Sequence, residues 1–139
     1  MPIKVQPPII KDFTLDKADK AANNTKDPTI IRVRQAAQGE RERRDKVYFD
    51  FKREYKSDGE VSVTQQISYN DVARMEVMLT LADCNILGLD EQPLFKFKND
   101  RITSEFDFLN AWAQLTPEVA DEIHEKVLEM NLLWSESGK

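Results

Sequence analysis

The chain has 139 residues, of which 40% are hydrophobic and 32% charged, and its formal net charge is −5. A chain of this length suits one domain around one core, with enough apolar material to offset the ordering entropy of most of its length. The acidic balance argues against nucleic-acid binding as the main activity, and the longest apolar runs fall far short of the roughly 20 residues of a membrane span.

Residues 1–28 hold Pro2, Pro7, Pro8 and Pro28, a polar run at 23–27, and only short apolar islands at Ile9-Ile10 and Phe13. Prolines remove backbone donors and Asn/Asp favour turns, so this segment reads as an extended N-terminal arm with one short helix over 15–22. No apolar h-region follows Met1-Pro2-Ile3-Lys4, and the single Cys84 cannot form an internal disulfide. Both features lead us to expect an intracellular, reducing setting, in which the acceptor-like tripeptide Asn23-Asn24-Thr25 is only a polar turn.

Residues 29–139 read as a single, mostly helical domain. From 29 to 35, Ile31 and Val33 alternate with Arg32 and Arg34, the period of a strand with one wet face. A helix is expected over 38–56, with Val47, Tyr48, Phe51 and Tyr55 on one stripe and two almost wholly charged opening turns, so that its N-terminal end protrudes. The turn Ser57-Asp58-Gly59-Glu60 then precedes a second strand candidate at 61–67, able to pair with the first across the helix. Ser68 followed three residues later by Asp71 opens a helix over 69–84 that carries Val72, Met75, Leu79 and Ala82.

A short third strand is plausible over 94–98, between Pro93 and the turn Asn99-Asp100. Residues 104–115 place Phe106, Leu109, Trp112 and Ala113 on one side of a helix that Thr103 or Ser104 caps. Thr116-Pro117-Glu118 then supplies a cap, a first-position proline and a first-turn acid, launching Val119, Ile123, Val127 and Met130 at helical spacing. The expected fold is therefore α+β, mainly α: four amphipathic helices, a small two- or three-stranded antiparallel sheet, and the N-terminal arm.

Reactive chemistry is sparse. Nucleophilic catalysis needs a Ser, Cys or Thr activated by a base, and the chain has one His and one Cys. His124 is open to two readings, a general base or a boundary histidine in a helix or interface hydrogen bond. The calcium-loop-like run 83–88 has Leu87 and Leu94 where ligands five and twelve should be, and four glycines leave no phosphate-cradling loop. We therefore expect no enzyme, no metal and no cofactor.

What remains is surface. Residues 32–56 hold nine Lys/Arg against five acids, 9 − 5 = +4, whereas residues 103–139 hold two lysines against eight acids, 2 − 8 = −6. Such a dipole suits packing against copies of itself or a charged neighbour, and equally describes ordinary solvated helix faces. Arg32, Arg34, Arg41, Arg43 and Arg44 are the candidate contacts with other proteins. Glu40, Glu42 and Asp45 interrupt the basic run too closely for a nucleic-acid face, and no aromatic within it can stack a base. Trp134, near the end of the sequence, either anchors an interface or pins the tail to the core.

Three stretches carry a family resemblance. They are Ile31-Arg32-Val33-Arg34-Gln35-Ala36; residues 76–86 (EVMLTLADCNI) with Pro93-Leu94-Phe95; and residues 108–127 (FLNAWAQLTPEVADEIHEKV), ending in Asn131 and Trp134. Together they resemble small proteins of tailed-phage structural gene clusters, most nearly tail-assembly chaperone-like proteins. The resemblance covers about three quarters of the chain, and it departs where Leu132 stands in place of the proline that often follows this Asn. It implies a non-enzymatic, cofactor-free protein in the cytoplasm of the infected bacterium, binding tape-measure or tail-tube proteins, with homo-oligomers possible. The competing expectation is a structural virion component, a head-tail connector or capsid- or tail-associated protein retained in the particle.

Overall fold

The computed structural model describes residues 2–58 and 63–137, with side-chain surroundings described for 2–48 and 70–135. In chain order the elements are β1 (Ile10–Thr14), α1 (Asp16–Ala21), β2 (Ile30–Arg34), α2 (Gln38–Asp58), α3 (Val63–Thr80), β3 (Leu81–Cys84), β4 (Phe97–Lys98), β5 (Arg101–Ile102), α4 (Glu105–Trp112), α5 (Pro117–Met130) and α6 (Leu132–Ser137). The fold is α+β and mainly α, as the pattern implied.

β2 is the central strand of an antiparallel sheet ordered β1-β2-β3. Ile31 and Val33 lie fully buried on it while Arg32 stays exposed. β4 and β5 form a separate hairpin, and Asn99 and Asp100 both adopt positive φ (53° and 60°), as its tight turn requires. One core cluster gathers Leu15, Ile31, Val33, Val77, Leu81, Phe95, Phe108, Ile123, Val127 and Trp134, so every layer shares it.

Several expectations change. The N-terminal segment is not an arm as far as residue 28: β1 pairs along β2 from Ile10↔Arg34 to Thr14↔Ile30, and Leu15 and Ala18 enter the core. Residues 2–9, ahead of β1, and residues 20–28, from the end of α1 towards β2, stay exposed throughout. The short helix does form, and a distant residue caps it. Leu15, at the N-cap position, has no polar side chain, and the buried Glu122 of α5 accepts from the N–H groups of Lys17 (3.1 Å) and Ala18 (2.8 Å).

The helix expected over 69–84 is already helical from Val63 and stops at Thr80, where the chain passes directly into β3. Leu81 and Ala82 are buried, and β3 takes up the open edge of β2 with a register shift between Arg32 and Val33. The second strand candidate is thus helix over 63–67, while residues 61 and 62 lie outside the described residues, as do Gly59 and Glu60 of the expected turn. Part of the third strand candidate survives as β4.

Ser104 caps α4 by accepting from the Asp107 N–H at 3.3 Å, and Pro117 opens α5 at its first turn. Among the described residues no helix is long and apolar enough to cross a membrane.

Candidate functional site

Among the described residues, two ionic networks occupy the inside of the fold. In the first, Arg34 of β2 is 2% exposed, so it does not share the wet face of Arg32. Its guanidinium meets both carboxylate oxygens of Glu40 on α2 (3.0 and 2.9 Å) and donates to the carbonyls of Leu79 (2.6 Å) and Asp100 (2.9 Å). Arg101 donates to Glu40 from the hairpin at 2.9 Å, and the Ala37 N–H donates to it from the start of α2. Burial opposes ionisation of Glu40, but these bonds and the two cations outweigh it and hold the carboxyl below its ordinary range. Asn131 ties the same strand to α5: its side chain accepts from the Ala36 N–H (2.8 Å) and donates to the carbonyls of Val127 and Arg34.

In the second network, Arg44 of α2 is 1% and Glu76 of α3 2% exposed. Arg44 Nε meets Glu76 Oε2 at 2.7 Å, and His124 Nε2 of α5 lies 2.6 Å from Glu76 Oε1. The guanidinium also lies over the rings of Tyr48 and Trp134, 4.6 and 5.6 Å from their centroids. One carboxylate therefore joins α2, α3 and α5, and the Trp134 ring brings in α6. The N-terminal half of α2 does not protrude; Arg44 and Glu40 pin it.

A carboxylate behind a histidine is half of an acid–base pair. The adjoining hollow, about 480 Å³, is lined by Asn70, Trp112, Asp121, His124 and Glu125 with Ala73, Ala120 and Leu128, and holds no Ser, Thr, Cys or Lys for His124 to activate. No group of three or more His, Cys, Asp or Glu able to hold a metal occurs among the described residues. Cys84 is mostly buried, and burial pushes its thiol up to about 11, the reverse of an activated nucleophile.

The residues singled out for partner contact do not form one face. Arg34, Arg44 and Trp134 are inside, with Arg44 and Trp134 in contact and the tryptophan 3% exposed. Arg32, Arg41 and Arg43 are exposed, but Arg32 pairs with Asp12 on β1 at 2.9 Å and Arg43 with Glu105 at the start of α4 at 3.0 Å. The Arg41 guanidinium makes a long bond to the Gln38 side chain at 3.4 Å.

The open surface lies elsewhere. A groove of about 460 Å³ runs between α1, the loop 85–94 and the corner joining α4 to α5. Leu15, Ala18, Ile86, Leu94, Leu115 and Val119 line it, and no Lys or Arg does. Leu87 and Leu89 stand largely exposed on its rim. They are presented by a tight loop in which the Gly88 N–H donates to the Gln92 carbonyl (2.8 Å) and the Glu91 N–H to the Gly88 carbonyl (3.0 Å). A Cβ on Gly88 would meet Asp90 Oδ1 at 3.0 Å, so a side chain there would push against the loop.

At the polar side of the groove, the Thr29 and Asn24 side chains and the Thr29 N–H bond Asp19. Burial opposes its ionisation, and these bonds hold the carboxyl below its usual range. Sequence reasoning passed over Leu87 and Leu89; the available signal was apolar residues inside a turn-rich run with no periodicity to bury them. Compared with models of protein families, with curated proteins and with solved structures, the chain matches none.

Proposed function

We propose that this chain is a non-enzymatic assembly factor, a tail-assembly chaperone of a tailed bacteriophage, acting in the cytoplasm of the infected cell. In this reading it holds an apolar segment of unassembled tape-measure or tail-tube protein until that segment is built into the tail. The observation that carries the reading is the division of labour among side chains. Among the described residues the buried charged side chains are consumed in ion pairs and a helix cap that join elements of the fold, while an apolar groove with two exposed leucines on its rim is left open. The resemblance of residues 76–86 and 108–127 to tail-assembly chaperone-like proteins supplies the client class, and no cofactor is required.

Co-expression with the tape-measure protein tests this. The full chain should keep the client soluble and co-elute with it, and Leu89→Asp should abolish co-elution without lowering the melting temperature, because Leu89 is wholly exposed. Co-elution unaffected by that change would refute the groove as the client surface. The second reading, a structural virion component, is favoured by the exposed segment 2–9, which could thread between subunits of a particle. Mass spectrometry of purified particles separates the two: stoichiometric presence of the chain ends the chaperone reading, and absence ends the virion reading.

A further inference from the structure

Two apolar features of this chain lack a partner among the described residues. One is the groove. The other is the stretch 2–9, in which Ile3 is 95% and Val5 100% exposed. Residues 2–8 form no hydrogen bond with the rest of the described chain; the one bond there runs from Gln6 Nε2 to the Lys4 carbonyl. Side chains alternate along an extended segment, so Ile3 and Val5 share one face. Pro8 keeps Pro7 out of the α region, and the two prolines favour a straight lead into β1 over a reversal.

The arm is badly placed to fill its own groove. It joins β1 beside Gln35, whose N–H donates to the Ile9 carbonyl, whereas the groove begins at Leu15, beyond the opposite end of β1. The distance from Ile9 to Leu15 is about 20 Å at a strand's rise per residue; fully doubled back from Ile9, Val5 reaches about 13 Å and Ile3 about 20 Å, so the two cannot both enter the groove. A neighbouring molecule has no such limit. Charge agrees as well: Lys4 is the one charged residue among 2–9, and the groove offers Asp19 and Asp27 with no cation in its lining.

We propose that the arm of one copy docks in the groove of a second copy, with Ile3 and Val5 between Leu87, Leu89 and Val119 and Lys4 reaching Asp27 at the rim. The contact rests on the groove being a peptide-binding surface, as in the functional reading above, and not on the identity of the client. It makes the groove self-occupied at high concentration, so a client must displace an arm.

Sedimentation velocity over a concentration series, with a labelled peptide of residues 2–9, tests the contact. The wild-type chain should self-associate, while Ile3→Asp/Val5→Asp and Leu89→Asp should each be monomeric. These sites are exposed, so the variants keep the wild-type fold, checked by their melts. An equimolar mixture of the two variants should associate again, since one still has its groove and the other its arm. The peptide should bind the arm variant and bind Leu89→Asp at least about tenfold more weakly. A wild-type chain that stays monomeric throughout, or arm variants that associate as strongly as wild type, would overturn the proposal. If the peptide fails to bind while tape-measure protein is still held through the groove, arm docking alone falls; if neither binds, the groove reading falls with it.

Discussion

Replacing Glu76 by Gln keeps the side chain's shape and removes the charge on which α2, α3 and α5 converge. Each carboxylate oxygen has its own partner, Arg44 at 2.7 Å and His124 at 2.6 Å. In the variant the buried guanidinium keeps its places over the Tyr48 and Trp134 rings but, among the described residues and apart from the new amide, has only longer bonds, to Asp45 at 3.3 Å and to the Trp134 carbonyl at 3.5 Å. Breaking a buried pair by removing one partner costs about 3–5 kcal/mol, and because the amide oxygen still accepts one bond we expect the lower end, about 3 kcal/mol. For a domain of this size that corresponds to a fall in melting temperature of roughly 10 °C. Arg44→Met together with Glu76→Gln leaves no stranded charge, so the double variant should be less destabilised than the sum of the single ones by about 2 kcal/mol. Urea unfolding of the four proteins at pH 7, with their m-values compared, measures both quantities. A loss below about 1 kcal/mol for Glu76→Gln, or single effects additive to within about 0.5 kcal/mol, would refute the view that this carboxylate locks the helices together.

Trp134→Ala should cost about 3–5 kcal/mol, because the ring is buried against the core and over Arg44; an unchanged thermal melt would return Trp134 to the surface. The Glu40 carboxyl titrates lower in the folded chain than in the unfolded one, so its stabilisation is present above the unfolded value of about 4.3 and is lost as pH falls through the folded value. Glu40→Gln should therefore be less stable than wild type at pH 7, and the gap in urea midpoints should close as pH falls below about 4; a gap that persists in acid would contradict the pairing with Arg34 and Arg101. With its thiol pushed up to about 11, Cys84 should react with a disulfide reagent at pH 8 at least about tenfold more slowly in the folded chain than in urea. Equal rates would show that the thiol is not buried.

The elements legible in the sequence are those whose signal is local. Thr116-Pro117-Glu118 marks the start of α5 because a helix N-terminus has needs its own first residues meet, and Ser104 does the same for α4. Ile31 and Val33 betray β2 because its wet neighbour Arg32 breaks the run. The boundary between α3 and β3 has no such mark. Residues 77–82 are apolar apart from Thr80 and buried throughout, so no periodicity tells helix from strand, and the change falls where the open edge of β2 needs a partner. β1 was hidden for a related reason: Lys11 and Asp12 interrupt its alternation, and its pairing is imposed by β2 across the turn that holds α1.

The burial of Arg34 and Arg44 is not legible in the sequence because a charge run says nothing about which charges meet. Arg34 and Glu40 are six residues apart, Arg44 and Glu76 thirty-two, and only the packing of α2 on α3 and β2 brings them within bonding distance. With Arg34 and Arg44 inside, and Arg32 and Arg43 paired with Asp12 and Glu105, four of the five arginines singled out are already held by acids of the same chain. On the proposed reading, recognition depends more on the apolar groove than on the charge dipole of the sequence. Burial of Leu87 and Leu89 under a partner strengthens with apolar area and is nearly indifferent to salt, whereas docking through the exposed arginines would weaken as ions screen it. The salt dependence of partner capture is thus the physical signature that distinguishes a groove-binding protein from the charge-docking one that the residue pattern first suggests.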